Sequence, residues 1–317
     1  MSRNYALVVD SVACLPEEEL ARRSIQLWRL PVMIENNRYT DSVSEGTLTN
    51  IYKNKKIGRE PEQFKNVQLR KSIRDFLFEE IVPKYDLVVV QTSSGEFTPI
   101  HSNCEAVVST IYSESHELRE KLGIEKPLVV QLFDSGTISA SQGLVTLFMD
   151  NLLRADRSIN DINKELKKFK NSVKSYVIVG DNRFIRRCLK DKGKKALPFP
   201  VAFMADMLKL HPIGKFENGT MNVMGSSAFG FDRALGRILK YCIEQVEKGL
   251  LMPIINMSYA GDLRLIKNHP LFRTLTVECA NQDVDLHLST MPLASSANFG
   301  IGGFSLGIAP KDQDAAP

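Results

Sequence analysis

Three apolar runs, each too short for a helix, end in a small polar loop and then lead into a helical stretch. Tyr5–Val9 runs into Asp10-Ser11, Leu87-Val88-Val89-Val90 into Thr92-Ser93-Ser94-Gly95, and Leu128–Phe133 into Asp134-Ser135-Gly136. Continuous runs of this length and β-branched content read as strands buried on both faces. Leu15-Pro16-Glu17-Glu18-Glu19 opens a helix, because proline suits a first turn and acids suit the positive end of the helix dipole. Ile73, Phe76, Leu77 and Ile81 recur at helical spacing, and further helices cover about Ser102–Leu122 and Ser139–Arg154. Such alternation implies parallel pairing through right-handed crossovers, hence an α/β half with a largely parallel sheet flanked by helices. Leu27–Ile34 and Arg38–Thr40 bracket a turn at Asn36-Asn37 and read as a strand pair.

The pattern changes near residue 156. Asp156–Asn171 is a polar, lysine-rich helix, and the domain boundary is placed here, giving domains 1–158 and 159–317. Beyond it, Tyr176–Val179 is a strand, and Glu217-Asn218-Gly219 marks a hairpin within Leu208–Val223. Phe231–Gly249 is a helix with Leu235, Leu239, Ile243 and Val246 on one face. Pro253–Tyr259 and Asp285–Ser289 are strands, with Leu263–Ile266 in a helix between them. The expectation is a second α/β domain with a mixed sheet. At 317 residues the chain is long enough for two cores of ordinary size.

Composition narrows the function classes. With 43% hydrophobic and 25% charged residues the chain is globular rather than disordered. A net charge of +4 is too small for a nucleic-acid-binding face. The basic runs Lys53–Lys56, Lys164–Lys174 and Arg183–Lys195 read as solvated helix faces and loops, with docking of an acidic partner or a membrane surface as the alternative. Five scattered cysteines contain no CxxC, so neither a disulfide framework nor a zinc knuckle is expected, and His101 and Cys104 lack a second pair of metal ligands. Tyr5–Val9 is too short for a signal peptide, and no window approaches the ~18 apolar residues of a membrane span. A reducing, cytoplasmic location is the expectation. No Walker loop and no GxGxxG after the first strand occur, so no nucleotide or other cofactor is called for. Gly303-Phe304-Ser305-Leu306-Gly307 fits GxSxG, but only ten residues follow it and no histidine comes after Ser305, so a hydrolase elbow is rejected.

The three loops carry the chemistry. In a parallel open sheet, strand carboxyl ends lie along one edge, and ligands bind in the crevice outside them. Small hydroxyls and the free N–H groups of helix starts there suit an acidic head group. The competing reading is that the same Ser and Asp residues are ordinary helix caps.

At these loops the sequence resembles the DegV family of bacterial fatty-acid-binding proteins. Val9-Asp10-Ser11-Val12-Ala13-Cys14-Leu15-Pro16 is similar to the family's opening Thr-Asp-Ser-x-x-Asp-Leu-Pro. Leu30-Pro31-Val32, Arg38-Tyr39-Thr40-Asp41, Ser93-Ser94-Gly95, Phe133-Asp134-Ser135, Leu210-His211-Pro212-Ile213 and Leu306-Gly307-Ile308-Ala309 match further family segments in the same order. The resemblance implies two α/β domains that bury a long acyl chain, with its carboxylate at the serine loop. It implies a carrier, not an enzyme, that presents a long-chain fatty acid to a separate fatty-acid kinase. Ser11, Asn66, Ser93, Ser94, Thr98 and Ser135 are the lipid-binding residues it points to, and Lys194 or Lys195 the phosphate-side basic group.

The sequence departs from the family at several of these positions. Phe97 stands where the family has its head-group serine, with Thr98 beside it. Asn66 stands near the head-group threonine, Ala228 near an arginine, and Asn298 or Gly300 near a histidine. Phosphoryl transfer relies on positive charge, so loss of these groups predicts weak or absent acyl-phosphate formation. A binder of another amphiphile or small acid is the alternative, with an uncharacterised hydrolase behind it.

Overall fold

The computed structural model describes residues 4–54, 57, 61–181, 183, 184, 187, 210, 211, 213–217, 219–224, 228–314, 316 and 317. In the first half, β1 (Tyr5–Asp10), α1 (Glu17–Arg23) and β2 (Gln26–Trp28) are followed by β3 (Pro31–Ile34), β4 (Asn37–Thr40) and α2 (Glu45–Lys53). Then come β5 (Phe64–Asn66), α3 (Leu69–Phe76), β6 (Leu87–Thr92), α4 (Ile100–Lys121), β7 (Val129–Asp134), α5 (Ser139–Arg154) and α6 (Ile159–Ser172). A wide π turn, Leu77–Ile81, continues α3, so the helical spacing read from Ile73 to Ile81 holds with a changed pitch at its end.

Strands β2, β1, β6 and β7 form a parallel sheet in that order. The chain steps to one side of β1 for β2 and to the other for β6. The switch point therefore lies between β1 and β6, beside the Asp10 and Ser93 loops.

Leu27–Ile34 is not one strand. Its first part pairs in parallel with β1, whereas β3 pairs antiparallel with β4 and β5 in a separate three-stranded sheet. The break falls at Leu30, whose N–H donates to Ser11 Oγ (3.2 Å) and whose carbonyl accepts from Asp41 N–H (2.9 Å). With both backbone groups engaged outside a ladder, the strand cannot run through.

The second half contains β8 (Lys174–Ile178), β9 (Leu210–His211), β10 (Ile213–Glu217), β11 (Thr220–Val223) and β12 (Ala228–Phe229). It continues with α7 (Phe231–Lys248), β13 (Ile254–Tyr259), α8 (Arg264–Lys267), α9 (Pro270–Asn281), β14 (Asp285–Thr290), α10 (Leu293–Phe299) and β15 (Phe304–Ile308). A six-stranded mixed sheet runs β11-β10-β8-β15-β13-β14, and β9 and β12 form a separate antiparallel pair. The expected α/β class, with one parallel and one mixed sheet, is the architecture found.

Helix α5 joins the halves. Twelve of its 16 residues are buried, and the polar ones among them, Ser139, Ser141, Gln142, Thr146 and Asp150, are hydrogen-bonded to Ser295, Ser175, Asp10, Gln91 and Arg23. It packs on β13 and β15 of the mixed sheet, on the turn after β1, and on α6. A Cβ on Gly143 would stand 2.4 Å from Ala13 O and 2.5 Å from Asn256 Nδ2, so only glycine allows this approach. One apolar cluster spans both halves, with Val90, Phe97 and Ile100 beside Val177, Phe216, Met291 and Phe299. A second places Ile162, Leu166 and Phe169 of α6 with Leu7, Val9 and Leu144.

Candidate functional site

The crevice is built from the carboxyl ends of β1, β6 and β7. Asp10 closes β1 and is fully buried. Its Oδ2 accepts from Ser93 N–H (2.9 Å) and the Gln142 amide (3.0 Å), and its Oδ1 from Val12 N–H (3.0 Å). One carboxylate thus ties the first loop, the serine loop and α5 together. Burial pushes its carboxyl up to about 6, while the hydrogen bonds from Ser93, Gln142 and Val12 pull it down.

The next residue makes a second staple. Ser11 Oγ donates to Asp41 Oδ2 (2.7 Å), and Asp41 also accepts from the N–H groups of Ser42 (2.8 Å), Leu293 (2.8 Å) and Ala294 (3.0 Å). Burial raises the Asp41 carboxyl to about 6 against these donors. Asp41 therefore couples the β1 loop to the first turn of α10, 252 residues downstream.

In the serine loop, Ser93 Oγ and Thr98 Oγ1 are hydrogen-bonded to each other at 2.7 Å. Ser94 N–H donates to Thr137 O (2.8 Å), and Ser94 O accepts from the N–H groups of Phe97 (3.0 Å) and Thr98 (2.9 Å), closing a tight turn. Asp134 Oδ2 accepts from Gly95 N–H (3.1 Å) and Oδ1 from Gly136 N–H (2.7 Å). Ser135 Oγ donates to Thr137 O (3.1 Å) and accepts from Thr137 N–H (3.2 Å). The hydroxyls of Ser11, Ser93, Thr98 and Ser135 thus have protein partners within the loops. Ser94 instead lines an open cleft of about 470 Å³.

Phe97 points into the apolar cluster. Its ring lies edge-on to Phe216 (5.4 Å between centroids) and stacks on Phe299 (6.3 Å) at the end of α10. The preceding residue, Asn298, donates to Ala294 O (3.3 Å), and Asn66 Nδ2 reaches the same carbonyl (3.4 Å). Helix α10 thereby brings Asn66 and Asn298 onto one carbonyl and Phe97 onto the adjoining ring. Asn66 Oδ1 is buried with no hydrogen-bond partner among the described residues. Arg187 adds a cation here, with donors on Phe64 O and Ala297 O.

Of the two positions set against a histidine, Gly300 has no room for a side chain. Its φ is +79°, and a Cβ there would stand 2.7 Å from Asp181 Cβ. Asn298 is the polar residue at this place. Ala228 pairs with His211 in the short β9–β12 ladder. Lys194 and Lys195 lie outside the described residues. Ser305 sits mid-strand in β15, fully buried, with its hydroxyl 2.8 Å from Ser139 Oγ, so there is no nucleophile elbow at GxSxG.

Sequence reasoning missed Arg187 as a site residue, having read it only within a basic run. Asp41 was seen as part of a family-like segment and Asn298 as one of two positions set against a histidine, neither with its partners. Arg187 depends on contacts across the fold, with donors on Phe64 O and Ala297 O.

The fold and these loops define an α/β protein with two main sheets, whose polar loops gather at the switch point of the parallel one. The DegV family model, whose members it describes as uncharacterised proteins, matches residues 4–311. The chain belongs to the DegV family. It is 22% identical over 305 residues to a DegV domain-containing protein of Xanthomonas axonopodis pv. citri, covering 96% of this chain and 97% of that one. Its fold is similar to the crystal structure of DegV, a fatty acid binding protein from Bacillus subtilis, at a TM-score of 0.72, 22% identity and coverage of 98% and 100%. It is also similar to that of a stearic acid-binding protein from Eubacterium ventriosum, at 0.73, 16% identity and coverage of 97% and 98%.

Proposed function

We propose that this chain binds a long-chain fatty acid between its two halves, residues 1–158 and 159–317, with the carboxylate at the polar loops. The observation that carries this reading is the apolar cluster shared by both halves, which reaches the serine loop at Phe97 and the Asn66–Asn298 pair at Phe299. An acyl chain gains about 0.8 kcal/mol per buried methylene, so apolar walls supply affinity and the polar loops supply position. Ser94, whose hydroxyl can donate, is the head-group contact best placed to serve. Ser11, Ser93, Thr98 and Ser135 act one step back, by holding the loops in shape.

The protein works as a cytoplasmic carrier rather than an enzyme, and a fatty-acid kinase is its partner. Among the described residues no helix is long and apolar enough to cross a membrane. Phe97 favours a second reading, a diverged binder of another amphiphile, because a buried aromatic ring stands where the family places a serine.

Denaturing the purified protein and running mass spectrometry on its organic extract tests both. A stoichiometric fatty acid supports the first reading, and a different amphiphile the second. No acyl lipid, with no uptake of added fatty acid, overturns the carrier. Incubation with a fatty-acid kinase and ATP is expected to yield little acyl-phosphate, and robust turnover overturns the weak-transfer expectation.

A further inference from the structure

The cleft beside Ser94 holds an ionic group that has no partner among the described residues. Ser94, Asp134, Thr137, Lys170, Lys215 and Glu217 contribute to its walls. The acids are engaged. Asp134 takes the N–H groups of Gly95 and Gly136, and Glu217 is paired with Lys215 at 3.0 and 3.1 Å. Glu96 lays its aliphatic stem against Gly219. Half-buried Lys170, from the last turn of α6, makes no ion pair and no hydrogen bond among the described residues. Its Nζ lies 3.4 Å from where a Cβ on Gly136 would stand.

A second group points the same way. Thr137 Oγ1 is buried with no partner among the described residues. It lies just ahead of helix α5, whose Ala140 N–H is taken by Ser305 Oγ (3.3 Å), so the hydroxyl rather than the helix start is what the cleft offers. Among the described residues, an unpaired ammonium and an unpaired hydroxyl thus line one cleft.

We propose that this cleft is an oxyanion site, in which Lys170 and Thr137 hold the phosphate or carboxylate terminus of a single-chain amphiphile. The inference rests on the carrier reading for the apolar part of that ligand. It also supplies a basic group within the described residues where the sequence suggested Lys194 or Lys195.

Calorimetry on the delipidated full chain tests it, with dodecyl phosphate, dodecanol and inorganic phosphate as probes. Lys170→Gln is expected to weaken dodecyl phosphate about tenfold and leave dodecanol unchanged, with Lys170→Arg restoring most of the loss. Thr137→Val is expected to weaken the phosphate several-fold. Equal loss for phosphate and alcohol, or no loss for either, overturns the site. Binding of inorganic phosphate that depends on Lys170, with no uptake of either amphiphile, supports the oxyanion site and overturns the carrier reading. Binding of both amphiphiles without any Lys170 dependence does the reverse. Thermal melts of each variant identify loss by unfolding, and in that case the Lys170→Arg comparison decides.

Discussion

At Asp41 one carboxylate takes a hydroxyl donor from Ser11 and three backbone donors, two of them from the first turn of α10. An amide there presents an NH2 group to one of these donors, and a buried donor left without an acceptor costs about 1–3 kcal/mol. Asp41→Asn is expected to lower the unfolding free energy at pH 7.5 by about 2 kcal/mol in urea titrations. The variant also changes the pH response. The folded carboxyls of Asp10 and Asp41 sit at about 6, above their ordinary unfolded value near 4. Their contribution is therefore full below pH ~4 and lost as pH rises through about 6. His287, held down by burial, works in the opposite sense. The wild-type minus Asp41→Asn difference isolates the carboxyl and is expected to change by about 1 kcal/mol between pH 5 and 7.5. Phe97→Ser restores a hydroxyl at the serine loop but leaves Phe216 and Phe299 facing a void. It is expected to cost about 3 kcal/mol by denaturant titration and to raise the affinity for a fatty-acid carboxylate in a displacement assay.

Strand β7 is the open edge of the parallel sheet, and α4 closes part of it. Tyr112 OH donates to Val130 O (3.1 Å) and accepts from Val130 N–H (3.2 Å), so a hydroxyl occupies both backbone groups that another strand would use. Exposed Leu122 and Val129 lie nearby in the chain's course. Tyr112→Phe is expected to leave the fold intact and to increase self-association at high concentration, read by sedimentation velocity. At α5 the constraint is steric. Alanine is favoured over glycine in a helix by about 1 kcal/mol, but at Gly143 its methyl would overlap Ala13 O and Asn256 Nδ2. Gly143→Ala is therefore expected to destabilise by about 2 kcal/mol in thermal or urea melts, against its helix propensity. The elements most legible in the sequence were β1 and β6, whose β-branched runs are buried; β7 is also a strand but, at the sheet edge, has Val129 exposed and four residues half-buried rather than both faces covered. Strand β5 has three residues and α10 seven, both too short for a period to show, and both exist because other segments pair with them.

For the whole molecule, a ligand held between the halves must stabilise both. A fatty acid at a hundred times its dissociation constant is expected to add about 2.7 kcal/mol to the unfolding free energy and to raise the melting temperature in scanning calorimetry. A single shifted transition is the outcome consistent with a shared site, since one apolar cluster and α5 already couple the halves. Two transitions with only one displaced would place the ligand in one half.

The sequence by itself determined the α/β class, the order of the main strands and the polar residues at their carboxyl ends. Those properties are local: a β-branched run can bury itself in few ways, and the chain leaving it must turn. Only the tertiary structure decided which of the polar residues are left for a ligand. Asp10 meets Ser93, Asp41 meets Leu293 and Asn66 meets Ala294 across 83, 252 and 228 residues. A hydroxyl's role depends on whether such a distant partner reaches it first. Ser93 and Ser94 adjoin in the chain, yet one is paired with Thr98 and the other lines the cleft. For the same reason Lys170 reads as a solvated lysine in its own helix, and once β7 and β10 are packed beside it, it becomes a cation of the cleft without a partner among the described residues, whereas Lys215 is paired with Glu217.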